Sequence, residues 1–312
     1  MDPLSDVMAL LKPRSYMAGG FDAGGQWSIR YRPGGGIKCY AVVSGACWMR
    51  VEGVDAPVRL RAGDCFLLPG GRPFCLTSDL ALPPMEADAV YAAARAAGTA
   101  VMNGITVWNG GGDCLIVGSY FALSGAAAGL LLGMLPPIVH ITEKTDQAAL
   151  LWSVERMMDE LRAQRPGGVL VVEHLAHMML LQALRLHLAE GAAGGVGWLF
   201  ALADRQMGAA IGAIHEAPAR RWTLEDLAAR AAMSRSNFAL KFKESVGTSP
   251  MEYLTRWRMM LAGERLLHGG EADSVIALSL GYESESAFST AFKRVMGCSP
   301  RQYRAGQALL AA

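Results

Sequence analysis

Two runs of the chain, fifty residues apart, gather small polar and basic side chains at helical spacing. The first is Arg235, Ser236, Asn237, Ala239, Leu240, Lys241 and Lys243. The second is Glu285, Ser286, Ser289, Thr290, Lys293 and Arg294. Lysine and arginine neutralise phosphates, and short polar side chains exchange hydrogen bonds with base edges. Two helices carrying such faces would read two major-groove segments about one helical turn, roughly 34 Å, apart. The bland counterpart for each residue is a solvated helix face.

Thiols offer a second chemistry. Five of the six cysteines (Cys39, Cys47, Cys65, Cys75, Cys114) precede residue 115, with no CxxC pair and no zinc-like spacing. Cys65 and Cys75 flank a "PGG" turn and are expected to face each other across a hairpin. Cys65, Cys75 and Cys114 are therefore the redox candidates. Against this, buried cysteines behave as small hydrophobes, and no basic pocket is evident to lower a thiol pKa. The histidines at 140, 174, 177, 187, 215 and 268 are expected to lie outside the strand-rich region. Glu173-His174-x-x-His177 sets two imidazoles one turn apart without a third ligand, so a helix surface or contact is expected there. No catalytic or metal-binding constellation is read, so neither an enzyme nor a cofactor is expected.

The polar runs need elements to hold them. Ser234–Tyr253 and Ser284–Tyr303 agree at nine of twenty positions at a fixed offset of fifty. In each, two phenylalanines four residues apart share a helix face (Phe238 and Phe242; Phe288 and Phe292). That face buries against a shorter preceding helix, "LEDLAARA" or "SVIALSLG". Ser234 and Ser284 suit N-caps. In the following "G-x-S-P-x-x-Y", glycine ends one helix, serine caps the next and proline opens it. "TLED" at Thr223 approximates a capping box. Two copies are fewer than a helical solenoid needs.

Upstream the pattern changes. "QWSIRYRP", "IKCYAVVSG", "ACWMRVEG", "APVRLRAGDCFLLPGG" and "RPFCLTS" read as short strands punctuated about every ten residues, as in a sandwich or barrel. Residues 83–112 are Ala-rich and ambiguous. From residue 147 the period becomes helical, with apolar positions 150, 151, 154, 157, 158 and 161, and a second helix follows around "VVEHLAHMMLLQALRLHLAEG". "GAAGGVG" (191–197) reads as a joint, and "GAAIGAIHE" as a further helix. The uncharged stretch 114–139 is long enough to span a bilayer. Its four glycines, two serines and Pro136-Pro137 point instead to a buried strand, a small-residue turn and a short apolar helix.

The repeated motif, above all "IALSLGYESESAFSTAFKRVMGCSPRQYR", resembles the AraC/XylS family of bacterial transcription regulators over about 222–304. The resemblance implies two helix-turn-helix units joined by a long helix, double-stranded DNA as partner, and commonly contact with RNA polymerase. It assigns base reading to Ser236, Asn237, Ala239 and Leu240, and to Glu285, Ser286, Ser289 and Thr290. Lys243, Lys293 and Arg294 fall to phosphates. Some family members carry arginine where Leu240 and Thr290 stand, which implies a different site sequence or weaker reading. The strand-rich part resembles the cupin-like domain of one AraC subgroup through Gly63, Pro69 and Gly71. Phe74 stands where metal cupins place a histidine. The metal-free barrel this implies would hold an effector near Trp27, Ile29, Cys39, Trp48, Phe66 and Phe74.

Length and charge agree with this division. At 312 residues there is room for two cores. From Glu216 onward 13 Lys and Arg stand against 10 Asp and Glu, whereas the preceding part carries 16 against 18. The sign favours an anionic partner for the C-terminal part. The N-terminus starts acidic, without the positive region of a secretory leader, so a cytoplasmic protein with reduced thiols is expected, with no membrane partner. The expected fold is two-domain α+β. Residues 1–140 form a cupin-like effector domain, 141–216 a helical linker and dimerisation segment, and 217–312 an all-α double helix-turn-helix domain. A homodimer and a small-molecule effector are expected. The alternatives are a redox-sensing regulator, or a cupin-type enzyme or binding module whose C-terminal part contacts protein.

Overall fold

The computed structural model describes residues 2–11, 14–99, 104–122, 135–142, 148–190, 197–268 and 270–310. The chain forms two compact units. One holds the strands and the two helices after them. The other holds the N-terminal helix together with every helix after residue 197.

The strand-rich unit is a curled half-barrel. Its strands are β1 (Arg14–Ala23), β2 (Ser28–Tyr31), β3 (Ile37–Val51), β4 (Val58–Arg61), β5 (Cys65–Pro69), β6 (Phe74–Thr77), β7 (Met85–Glu86), β8 (Ile105–Trp108), β9 (Cys114–Ala122) and β10 (Val139–Ile141). The order is β7-β2-β6-β3-β9-β1-β8, with β4 and β5 also on β3 and β10 on β5. The two strands read from "IKCYAVVSG" and "ACWMRVEG" are one. Strand β3 pairs with β9 and β5 over its first part and with β4 and β6 over its second. The register shifts between Val42 and Ser44, and Gly45 follows at φ +76°. A Cβ there would sit 1.8 Å from the Asp113 carbonyl oxygen, so only glycine lets the strand turn. The turn folds the two halves around a core including Phe21, Trp27, Ile29, Met49, Leu60, Phe66, Phe74 and Leu76.

The ambiguous stretch contains helix α2 (Ala87–Ala96) and strand β8. Of the long uncharged run, Cys114–Ala122 is strand β9, held between β1 and β3. The small-residue turn and short helix expected after it lie outside the described residues, as does 191–196 of the joint. Helices α3 (Ala148–Ala163) and α4 (Gly168–Glu190) pack as a hairpin against the sheet. Leu150, Val154, Met157, Met158 and Leu161 are buried as the period requires, but Leu151 is exposed. Among the described residues, one helical stretch is long and apolar enough to cross a membrane, Gly168–Leu188 within α4, 39% buried.

The helical unit contains α1 (Pro3–Leu11), α5 (Trp198–Ala203), α6 (Arg205–Glu216), α7 (Leu224–Arg230), α8 (Arg235–Val246), α9 (Pro250–His268), α10 (Asp273–Ser279), α11 (Glu285–Met296) and α12 (Pro300–Leu310). Its boundaries follow the sequence signals. Thr223 and Asp226 complete a capping box on α7. Ser234 and Ser284 cap α8 and α11 by accepting from the Asn237 and Ala287 amides, and both helices end on left-handed glycines, Gly247 and Gly297.

Candidate nucleic-acid interface

Each copy pins its second helix by aromatic rings. In copy one Phe238 and Phe242 are fully buried, 5.5 Å apart, and Phe242 meets Tyr253 of α9 edge-on at 5.9 Å. In copy two Phe288 and Phe292 repeat this at 5.7 Å, and Phe292 meets Tyr303 of α12 at 5.4 Å. Burying each phenyl ring stabilises by roughly 2–3 kcal/mol. Helix α9 joins the copies. Tyr253, Leu254 and Trp257 near its start are buried, while Met259, Ala262 and Leu266 enter the core of copy two. Arg258 reaches back from α9: its Nε donates to the Pro218 carbonyl (2.6 Å), an Nη donates to that of Arg220 (2.9 Å), and the guanidinium lies over Tyr282.

With one face of each helix fixed, the opposite face is exposed. Arg235, Ser236, Asn237, Leu240 and Lys243 are exposed in copy one, and Glu285, Ser286, Thr290, Lys293 and Arg294 in copy two. Ala239 and Ser289 are partly buried at matching positions. Every residue assigned to groove reading therefore lies away from the buried rings. Two of the cations have partners within the unit. Lys241 pairs with Asp204 (2.7 Å) and donates to Gln206, and Arg235 pairs with Glu225 (3.0 Å). Lys243, Lys293 and Arg294 form no ion pair among the described residues. The partner of Lys241 lies 37 positions upstream, beyond the reach of any local pattern.

Beneath copy one lies a polar network that sequence reading missed. His215 is stacked on Trp257 at 3.8 Å. Its Nε2 lies 2.9 Å from the Tyr253 hydroxyl and its Nδ1 3.3 Å from the Asp6 carboxylate on α1. Tyr253 donates to Nε2, which leaves the Nδ1 proton for Asp6. Burial drives the His215 pKa down to about 3. Asp6 and His215 are 209 residues apart, so only the fold brings them together.

In the strand-rich unit, Trp27, Ile29, Phe66 and Phe74 are core residues, Cys39 is fully buried, and Trp48 is partly exposed under Arg59. Phe74 is the one of these six that also borders a groove, a cavity of about 360 Å³ on the outer face of β2, β6 and β3. Arg30 and Arg50 border it too. Neither was a sequence candidate, because their meeting depends on strand register. The expected Cys65–Cys75 hairpin does not form: β5 pairs with β3 and β10, and β6 with β2 and β3. Cys65 instead hydrogen-bonds Cys39, whose thiol is pushed up chiefly by burial. Cys114 meets Cys47: a hydrogen bond from Cys47 holds the Cys114 thiol down and drives that of Cys47 up. Cys75 meets the Ser28 hydroxyl at 3.4 Å.

One histidine departs from expectation. His140 lies on β10, in the sheet, 3.2 Å from the Asp64 carboxylate. On α4, His174 and His177 each meet a carbonyl of their own helix, at Leu170 and Glu173. No group of three or more His, Cys, Asp or Glu suited to a metal occurs among the described residues.

Comparison with known proteins matches residues 2–189 to a cupin family and residues 227–306 to a helix-turn-helix domain family. The chain is 43% identical to an AraC-like transcription regulator of Streptomyces lividans, over 97% of this chain and 98% of that one. It is 36% identical to the regulator AlkR of Acinetobacter baylyi, over 56% of this chain and 58% of that one. Among solved structures, it is similar to the DNA-binding domain of AdpA in complex with a target DNA, at 30% identity over 33% of this chain and 92% of that one, with a TM-score of 0.31.

Proposed function

The chain belongs to the AraC-like transcription regulators, with a cupin domain ahead of a helix-turn-helix domain, and from that premise we propose how it reads DNA. Helices α8 and α11 enter successive major-groove segments of one duplex site. The carrying observation is that both helices bury the same face on paired phenylalanines and expose the same opposite face. Ser236, Asn237, Ala239 and Leu240, with Glu285, Ser286, Ser289 and Thr290, address base edges. Asn pairs with adenine, and Glu accepts from the cytosine amine. Lys243, Lys293 and Arg294 hold phosphates. The Lys241 and Arg235 charges first serve the unit's own carboxylates, so their share in phosphate contact is smaller.

In this reading residues 217–312 bind DNA, the cupin-like region up to 140 receives an effector, and the helices of 141–216 pair a second copy. Exposed Leu151, Trp152, Val169 and Leu170 on α3 and α4 support that pairing. An effector that favours one arrangement changes DNA affinity or RNA polymerase contact by linkage. The protein acts in the cytoplasm, without a catalytic step.

The test is binding to duplexes selected from random DNA, measured against salt and competitor. Lys243→Gln and Lys293→Gln should weaken binding to every sequence and lower the salt slope by about one each. Asn237→Ala should instead change which sequence is selected. Unaltered affinity and preference in all three variants would remove α8 and α11 from the groove.

A second reading rests on the Cys47–Cys114 contact. Two neighbouring thiols, with that of Cys114 held down by the other, are the arrangement from which a disulfide forms, with loss of two protons, once an oxidant such as a peroxide accepts the two electrons. Peroxide would then change the DNA affinity of the native chain and leave Cys114→Ser indifferent.

A further inference from the structure

The groove on the outer face of the strand-rich unit has a floor of three residues in register. On strand β6, Cys75 stands directly across from Arg30 of β2 and from Arg50 of β3. Residues in register share a face, and the neighbours on these strands confirm which one. Ile29, Met49, Phe74 and Leu76 point into the core, so Arg30, Cys75 and Arg50 point out. Two guanidinium groups therefore flank one thiol on adjacent strands.

Arg30 and Arg50 lie on either side of β6, each opposite Cys75 rather than each other, and Glu86 of β7 stands in register on the far side of Arg30. Arg50 donates to the Leu80 carbonyl at 2.9 Å, which ties the segment after β6 over this face. Arg30 forms no ion pair among the described residues, although Arg32, on the same side of the sheet, pairs with both Glu86 and Asp88. Above the arginines the walls are apolar, with Leu80, Leu82, Pro57 and Pro84. Glu52 and Asp55 also line the groove and bring negative charge to it. The volume, about 360 Å³, is at the lower end of small-molecule sites.

We propose that this groove binds a small monocarboxylate with an apolar body. The carboxylate bridges Arg30 and Arg50 over Cys75, and the body lies against the leucine and proline walls. Two guanidinium forks suit a planar carboxylate better than a spherical anion. The carboxylates of Glu52 and Asp55 in the lining disfavour multiply charged anions. This puts the small-molecule site on the outside of the sheet, where of the six residues expected from the sequence only Phe74 borders it. It deepens the effector part of the proposed function, but its test needs no DNA.

Cys75 is the reporter. Of the described cysteines only Cys75 and Cys298 are partly exposed. Cys298 lies in the other unit and serves as an internal control. The full chain is alkylated with iodoacetamide, and both thiols are followed by mass spectrometry with octanoate, benzoate or the neutral isostere benzamide. A ligand at about twice its Kd slows a blocked reaction about threefold. Octanoate or benzoate should slow Cys75 by that factor or more, with Cys298 unchanged and benzamide inert. Arg30→Gln, which breaks no hydrogen bond or ion pair among the described residues, should abolish the protection, and Arg50→Lys should weaken it. Equal Cys75 rates with and without both carboxylates up to 50 mM, or protection that survives Arg30→Gln, would overturn the site. If protection is seen but DNA affinity does not respond to the same carboxylate, the site stands and its role as an effector site falls.

Discussion

The two helix-turn-helix copies share a plan but solve its details differently. Copy one turns between its helices at Ala232, at φ +52°, a left-handed conformation without glycine. Copy two turns at Gly281, at φ +80°. Copy one starts from a capping box on Thr223, whereas Ala272 before α10 offers no side-chain cap. Copy one places Lys241 where copy two has buried Ala291, and that lysine is tied to Asp204. Among the described residues, copy two leaves both of its last-turn cations, Lys293 and Arg294, without an ion pair, and copy one leaves Lys243. The tyrosine after copy one is bonded to a buried histidine, and the tyrosine after copy two packs beside Gly263 and Met296. The repeat keeps the paired phenylalanines, the serine caps and the glycine stops, and varies the turn, the first cap and the placement of its cations.

The largest expected difference is in acid. The pKa of His215 is lowered by burial from 6.5 to about 3. Below pH 6.5 the unfolded chain takes up a proton that the folded chain refuses until about pH 3. The stabilisation held by neutral His215 is therefore complete above pH 6.5 and is lost as pH falls between these values. The slope is up to about 1.4 kcal/mol per pH unit. His215 underlies copy one, so amide exchange in α8 should accelerate before that in α11 as pH falls from 6.5 to 4. His215→Phe should flatten the acid limb of the melting curve. Equal acceleration in both copies, unchanged in His215→Phe, would break the asymmetry.

The turns give the next effect, with opposite signs. A Cβ on Gly281 would lie 2.2 Å from the Ala219 carbonyl oxygen and 3.0 Å from the Arg258 guanidinium. Gly281→Ala should therefore destabilise by at least about 1–3 kcal/mol, since it adds left-handed strain to a backbone clash. Ala232→Gly should stabilise, or cost nothing, because glycine removes about 1 kcal/mol of left-handed strain at a similar entropic cost. Thermal denaturation of the two variants checks both signs. A destabilised Ala232→Gly would mean that the Ala232 methyl makes a contact worth more than the strain.

The sequence disclosed these copies because their signals are local. A serine cap, a glycine stop, a proline at the first turn and phenylalanines four apart all act within one helix. The strand-rich unit was legible only as a class. Whether "IKCYAVVSG" and "ACWMRVEG" are two strands or one depends on what Gly45 packs against, the carbonyl of Asp113, 68 residues on. Register is likewise silent in sequence. It separates Cys65 from Cys75, joins Cys65 to Cys39, draws His140 into the sheet and sets Arg30 and Arg50 around Cys75. The exposed positions of α8 and α11 could be named from the repeat. That Lys241 is occupied by Asp204 could not, nor could the link from Asp6 to His215.

The smallest effect concerns what the copies read. Leu240 is 60% exposed on the free face of α8, an apolar side chain held in water. Thr290 occupies the same place on α11. Its hydroxyl donates to the Ser286 carbonyl at 2.9 Å, so its remaining outward group is a methyl. Both copies thus offer an apolar contact at one shared position, and the matching feature on a base edge is the thymine 5-methyl. A selected duplex should carry thymine opposite each position. Replacing that thymine by uracil removes one methyl and keeps every hydrogen bond. Opposite Leu240 this should cost about 0.8 kcal/mol, roughly fourfold in affinity, the value of one buried methyl or methylene. Opposite the shorter Thr290 it should cost less. Leu240→Ala should bind thymine and uracil duplexes equally at the first position and still distinguish them at the second. If uracil is neutral at every position in the native protein while binding itself persists, Leu240 and Thr290 face the groove without reading it. Specificity would then rest on Asn237, Glu285 and the serines alone.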